Sequence, residues 1–196
     1  MKKSMPWIRC AGFLVGLAVI LGICDFCFAP SGYVRFILHE VNRKDTQYDT
    51  IILGASHARS AINPEYLDEE LGTNTLNLAI PGETVKDAYY LLKDACESND
   101  VKTVIMDVDY QYWMDEQPQG YFTEPFICQN ITNLKVKTEY LLDNWDTIDL
   151  RNVLVRRLSW DCTWSSVKQN VSTKMTEAYR EYSIEAVSYT HLTLPT

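Results

Sequence analysis

Three short apolar runs, each closed by a polar or turn-forming residue, organise the middle of the chain. Residues 48–53, YDTIIL, end at Gly54; residues 75–80, TLNLAI, end at Pro81-Gly82; residues 103–108, TVIMDV, end at Asp109. Runs of this length, continuously apolar more than alternating, suit strands of a parallel sheet buried on both faces. Between them the spacing turns helical. Asn63 before Pro64 and Glu65 reads as a cap with proline at the first helical position. In residues 83–98, ETVKDAYYLLKDACES, Val85, Ala88, Tyr89, Leu92 and Ala95 fall on one helical face. Strand, helix, strand, helix, strand in this order predicts an α/β fold with right-handed crossovers. Past Trp113 the pattern weakens. Residues 121–132 read as irregular and aromatic-rich, 135–158 as a helix broken near 146–149, and 169–185 as a weaker helix.

A different pattern precedes the sheet. From Cys10 to Cys24 there is no charged residue, and residues 7–29 supply the ~20 apolar positions that a bilayer-crossing helix needs. A cleaved signal peptide has an h-region of similar character, but its cut after Ala29 would fall before Pro30. A lipoprotein signal would want a small residue where Ile23 precedes Cys24. An uncleaved anchor fits better. Lys2 and Lys3 before the span, and an acidic chain after it, predict a cytoplasmic N-terminus at residues 1–6 and an extracytoplasmic body. That body occupies residues 30–186, an ordinary length for one domain. Residues 187–196, VSYTHLTLPT, match one translated frame of a transposase adaptor used in DNA library preparation. They read as a cloning scar, and the native chain is expected to continue past Ala186.

Composition narrows the partners. Eighteen Lys and Arg against 26 Asp and Glu give a formal charge of −8, which argues against a nucleic-acid surface. Cys10, Cys24 and Cys27 belong to the span, where they act as small apolar residues. Cys96, Cys128 and Cys162 form no CxxC and have no neighbouring histidine, so neither a zinc site nor a disulfide framework is predicted. Asp107 and Asp109, two apart at the end of the third run, are too few ligands to specify a metal. No cofactor motif is present.

In open α/β sheets ligands bind beyond the carboxyl ends of the strands. The three runs end on Ser56-His57, Pro81-Gly82-Glu83 and Asp109-Tyr110. Ser56 stands two residues past the first strand, at the start of a loop, and Gly54 permits a tight exit from the strand. Backbone N–H groups at Ser56 and near Gly82 are the kind of donors that stabilise an oxyanion. A bland reading also stands, in which Ser56 only caps the segment that follows.

The stretches IILGASHARSAINP and LNLAIPGET resemble the first two blocks of the SGNH/GDSL hydrolase superfamily. The resemblance covers residues 48–113. It implies a three-layer α/β/α, flavodoxin-like sandwich with Ser56 as nucleophile and the N–H groups of Ser56 and Gly82 as the oxyanion site. The span together with GASHARSAINP is most similar to anchored, externally facing members, which resemble proteins of teichoic-acid D-alanylation and envelope-polysaccharide acetylation. Two blocks depart from the family. Its third-block asparagine is replaced by DVDYQYW, and its Asp-x-x-His has no match, the only histidines being His39, His57 and His191. The implied parent is a serine esterase or O-acyl transferase acting on acyl groups of an envelope polymer, inactive as the present chain. His57 and Arg59 would line the substrate site with Asp109 and Tyr110. Arg59 is equally compatible with a solvated side chain. The other class compatible with the residues is a non-catalytic module that binds or hands on such a polymer.

Overall fold

A computed structural model describes residues 6–29, 33–108, 123–146, 148 and 163–175. Helix α1, Pro6–Phe28, is apolar on all sides and exposes Phe13, Leu14, Val15 and Ile20. Trp7–Phe28 is long and apolar enough to cross a membrane. At 1.5 Å per residue it is about 33 Å long, close to the hydrocarbon thickness of a bilayer.

Helix α2, Tyr33–Glu40, leads into strand β1, Thr50–Leu53. Two short helices follow, α3 at Ser56–Ala61 and α4 at Pro64–Leu71, then strand β2 at Thr75–Asn77. Helix α5, Val85–Ser98, precedes strand β3, Thr103–Met106. Helices α6, Thr123–Asn130, α7, Leu134–Asp143, and α8, Val167–Met175, complete the described elements. The fold is mixed α/β, as the alternation of apolar runs predicts. The sheet has the order β2-β1-β3, with both pairs parallel. Hydrogen bonding continues past the end of β2: Leu78 N–H donates to Ile52 O (2.8 Å) and Ile80 N–H to Gly54 O (3.0 Å), so the whole TLNLAI run follows β1.

Central placement explains the continuous apolar character of β1. Ile51 and Leu53 enter the larger core with Leu38, Leu91, Ile127 and Tyr140, while Ile52 turns the other way into a small cluster with Ala58 and Ala79. β2 is likewise buried, and α4 packs along it. β3 differs: Thr103 and Val104 are exposed. The bonds Thr103 N–H to Asp49 O and Asp107 N–H to Leu53 O direct the odd-numbered amides of β3 toward β1. Those of Val104 and Met106 therefore point away from β1.

Three readings need correction. α5 buries Asp87, Ala88, Tyr90, Leu91, Asp94 and Ala95, and exposes Tyr89 (55%), so its inward face is rotated from the predicted one. The two buried acids account for the shift, because each is supplied with donors. Asp87 accepts from Tyr140 Oη (2.7 Å) and from the backbone and hydroxyl of Thr84, forming a capping box at the start of α5. Asp94 accepts from Asn42 Nδ2 (2.9 Å) and Asn133 N–H (3.3 Å). Burial pushes both carboxyls above their ordinary range. Second, part of the stretch read as irregular is helix α6, which packs against α2. Third, α7 ends at Asp143, just before the expected break, where Asn144 N–H and Nδ2 both bond Tyr140 O. The helical continuation predicted for 149–158 lies outside the described residues. α8 takes up the first half of the helix predicted for 169–185.

Candidate functional site

The first feature is the exit from β1. Gly54 has φ +149°, a conformation suited to glycine. A Cβ built there would stand 2.5 Å from Asp107 Cβ and 2.7 Å from Ala58 Cβ. No side chain fits, so glycine is required by both backbone and space. The chain then turns at Ala55 directly into α3. Ser56 is the first residue of that helix, not of a loop as predicted, and the cap position belongs to Ala55, which makes no side-chain cap bond. The capping role considered for Ser56 is therefore not the one it takes. Ser56 and His57 are exposed, Ala58 is buried and Arg59 is half-buried.

The second feature is the turn after β2. Glu83 N–H donates to Ile80 O (3.0 Å), closing a turn with Pro81 at its second position and Gly82, φ +79°, at its third. Glu83 itself, 3% exposed, folds back under the turn. Its Oε1 accepts from Gly54 N–H and its Oε2 from Ile80 N–H, both at 2.9 Å. One carboxylate thereby ties the exit of β1 to the exit of β2 at the carboxyl end of the sheet.

Asn77 does comparable work on the other side of α3. Buried, it donates to Ala58 O (3.1 Å) and Ile62 O (3.2 Å) and accepts from Ala79 N–H (3.1 Å). The last turn of α3 is thus held to β2. Neither Glu83 nor Asn77 was assigned a role from the sequence. The available signal was a polar residue inside an apolar run, and an acid between a Pro-Gly turn and a capping box.

Replacing Glu83 tests the tie. Glu83→Ala leaves Gly54 N–H without this acceptor, while Ile80 N–H keeps Gly54 O at 3.0 Å. The expected loss is about 1–3 kcal/mol of unfolding free energy in a urea titration. Glu83→Gln, which retains one carbonyl oxygen, should lose less. Equal losses for the two variants would contradict the bridging role.

Asp107 closes the site from β3, its Cβ lying under Gly54. Asp109 and Tyr110, predicted to bind substrate, lie outside the described residues, so the proposed Asp107–Asp109 pair does not enter the geometry. Among the described residues no group of three His, Cys, Asp or Glu is arranged to hold a metal ion. Cys96 is exposed and Cys128 buried, both as free thiols. Burial pushes the Cys128 thiol up to about 11, which makes it an unreactive core residue at neutral pH. Comparison of the chain with protein-family models, with curated proteins and with solved structures gives no match to any of them.

Proposed function

We propose that the parent of this chain is a membrane-anchored serine esterase or O-acyl transferase of the SGNH type, acting on acyl groups of an extracytoplasmic envelope polymer such as a teichoic acid or polysaccharide. The observation that carries this reading is the placement of Ser56. It is exposed on the first turn after the central, fully buried parallel strand, and Glu83 ties the Pro81-Gly82 turn to the exit of that strand. In the mechanism, Ser56 Oγ attacks the ester carbonyl and the backbone N–H groups of Ser56 and Gly82 receive the oxyanion. His57 and Arg59 line the approach to the serine. The general base belongs to an Asp-x-x-His block that this sequence does not contain. The surrounding architecture is proposed to be the three-layer α/β/α sandwich of that superfamily, and the burial of opposite faces of β1 in two separate clusters supports this. Release of acetate from a model ester by a longer parent, compared with its Ser56→Ala variant, tests the assignment.

A second reading, a polymer-binding module without catalysis, is favoured by DVDYQYW standing where the third-block asparagine would be. Sequence following Ala186 separates the two. An Asp-x-x-His there supports the enzyme, and a native continuation without one supports the module.

The proposed topology places the N-terminus in the cytoplasm and the α/β body outside, on the strength of Lys2 and Lys3 before an apolar α1. Protease added to intact cells should digest the body and spare the first residues. A fully protected body would reverse the orientation.

A further inference from the structure

We propose that α8 and the turn before it, residues 163–175, form a collar seated in the headgroup layer of the bilayer, with Trp164 as its lipid-facing anchor. The inference rests on the reading of α1 as a membrane span. It begins from the carbonyls that any helix leaves unsatisfied in its last turn. In α1 those of Phe26 and Cys27 are met by α8, which also reaches Ala29 O just past the helix. Asn170, buried, donates Nδ2 to Cys27 O (2.7 Å) and Ala29 O (3.1 Å). Lys174 Nζ donates to Phe26 O (2.6 Å) and to Ala29 O, and lies 5.3 Å from the centroid of the Phe26 ring. A cation at the carboxyl end of a helix complements the helix dipole.

Height relative to the bilayer follows from chemistry. An ammonium is strongly disfavoured in hydrocarbon, so Lys174 must sit where headgroups or water reach it. Because Lys174 is bonded to the last turn of α1, that turn marks the level at which the span leaves the hydrocarbon. Trp164 is at the same level: its ring meets Phe28 edge-on at 4.7 Å between centroids, yet the residue is 84% exposed. An indole has an apolar body and one N–H donor, the combination that favours the boundary between acyl chains and headgroups. Trp7, 63% exposed, occupies the opposite end of the same helix. The collar thus adds an exposed indole beside the last turn of α1.

The test uses the full chain reconstituted in phosphatidylcholine/phosphatidylglycerol vesicles. One vesicle set carries acyl-chain bromines near the glycerol, another near the chain ends. The emission of Trp164 is obtained as wild type minus Trp164→Phe, and that of Trp7 as wild type minus Trp7→Phe. The shallow bromines should remove about half of the Trp164 emission, as expected for an interfacial indole, and the deep bromines much less. Aqueous iodide should have little effect. Quenching of Trp164 by iodide and not by bromine overturns the collar, as does shielding from both, which would mean that protein covers the ring. If the Trp7 emission is quenched by bromine in those cases, the span stands and only the collar falls. If Trp7 is untouched by either bromine position, the span reading fails and takes the collar with it.

Discussion

Ester hydrolysis by the 196-residue chain is expected to be negligible even with Ser56 correctly placed, and a parent that carries a general base should gain it. A serine hydroxyl is a weak nucleophile at neutral pH, and a positioned base is typically worth ~10²–10⁴-fold in rate. Of the three histidines, His39 is exposed at the end of α2, His57 adjoins Ser56 in the first turn of α3, and His191 lies outside the described residues. Successive residues of a helix project about 100° apart, so the side chain of His57 leaves α3 in a different direction from that of Ser56. In the parent, Ser56→Ala should abolish release of acetate or of a chromogenic alcohol, with the fold retained by circular dichroism. His57→Ala should lower the rate only modestly. Turnover by the present chain at the parent's rate, lost in His57→Ala, would identify His57 as the base and overturn the assignment.

The largest effect on stability is expected at Gly54. Gly54→Ala combines a backbone that L-residues avoid with a methyl group driven onto Asp107 Cβ at 2.5 Å and Ala58 Cβ at 2.7 Å. Neither neighbour is the movable tip of a long side chain. Backbone strain and overpacking each cost about 1–3 kcal/mol, and together they rival the entire stability of a small domain. Gly72 provides the control. It ends α4 with φ +66° in the left-handed region, but nothing lies within 4 Å of an added Cβ. Gly72→Ala should therefore lose only about 1 kcal/mol. Thermal melts of both variants in detergent decide the matter. If Gly54→Ala melts beside Gly72→Ala, the close approach of β3 to the exit of β1 is wrong.

The sheet could be read from the sequence because its strands carry their own signal. Each is apolar on both faces, and each run ends where glycine, proline or a charge interrupts it. The Asn63–Pro64 start of α4 was equally visible, since Asn63 Oδ1 accepts from Glu65 N–H in the ordinary way of a cap. The face of α5 was misread because hydrophobic periodicity does not register a buried carboxylate. Asp87 and Asp94 look like surface residues until Tyr140, Thr84, Asn42 and Asn133 supply their donors, and three of those partners lie more than thirty positions away. α6 was missed for a related reason. Among its described side chains the inward ones, Ile127 and Cys128, adjoin in sequence and set no helical repeat. At the site, the position of Ser56 relative to β1 was legible, and the carboxylate that holds its neighbourhood in shape was not. Glu83 works through backbone amides, and a sequence gives no sign of which amides converge.

The uneven flanks of the sheet bear on how such a protein can diversify. α4 packs against β2, whereas β3 turns the amides of Val104 and Met106 away from β1. A further strand joining at β3, from this chain or another, would pair with those amides. β1 keeps the same two neighbours whatever is added there. Remodelling at β3 falls on the side away from Gly82, and that edge can change its length, partner or register while the segment that carries Ser56 retains its neighbours.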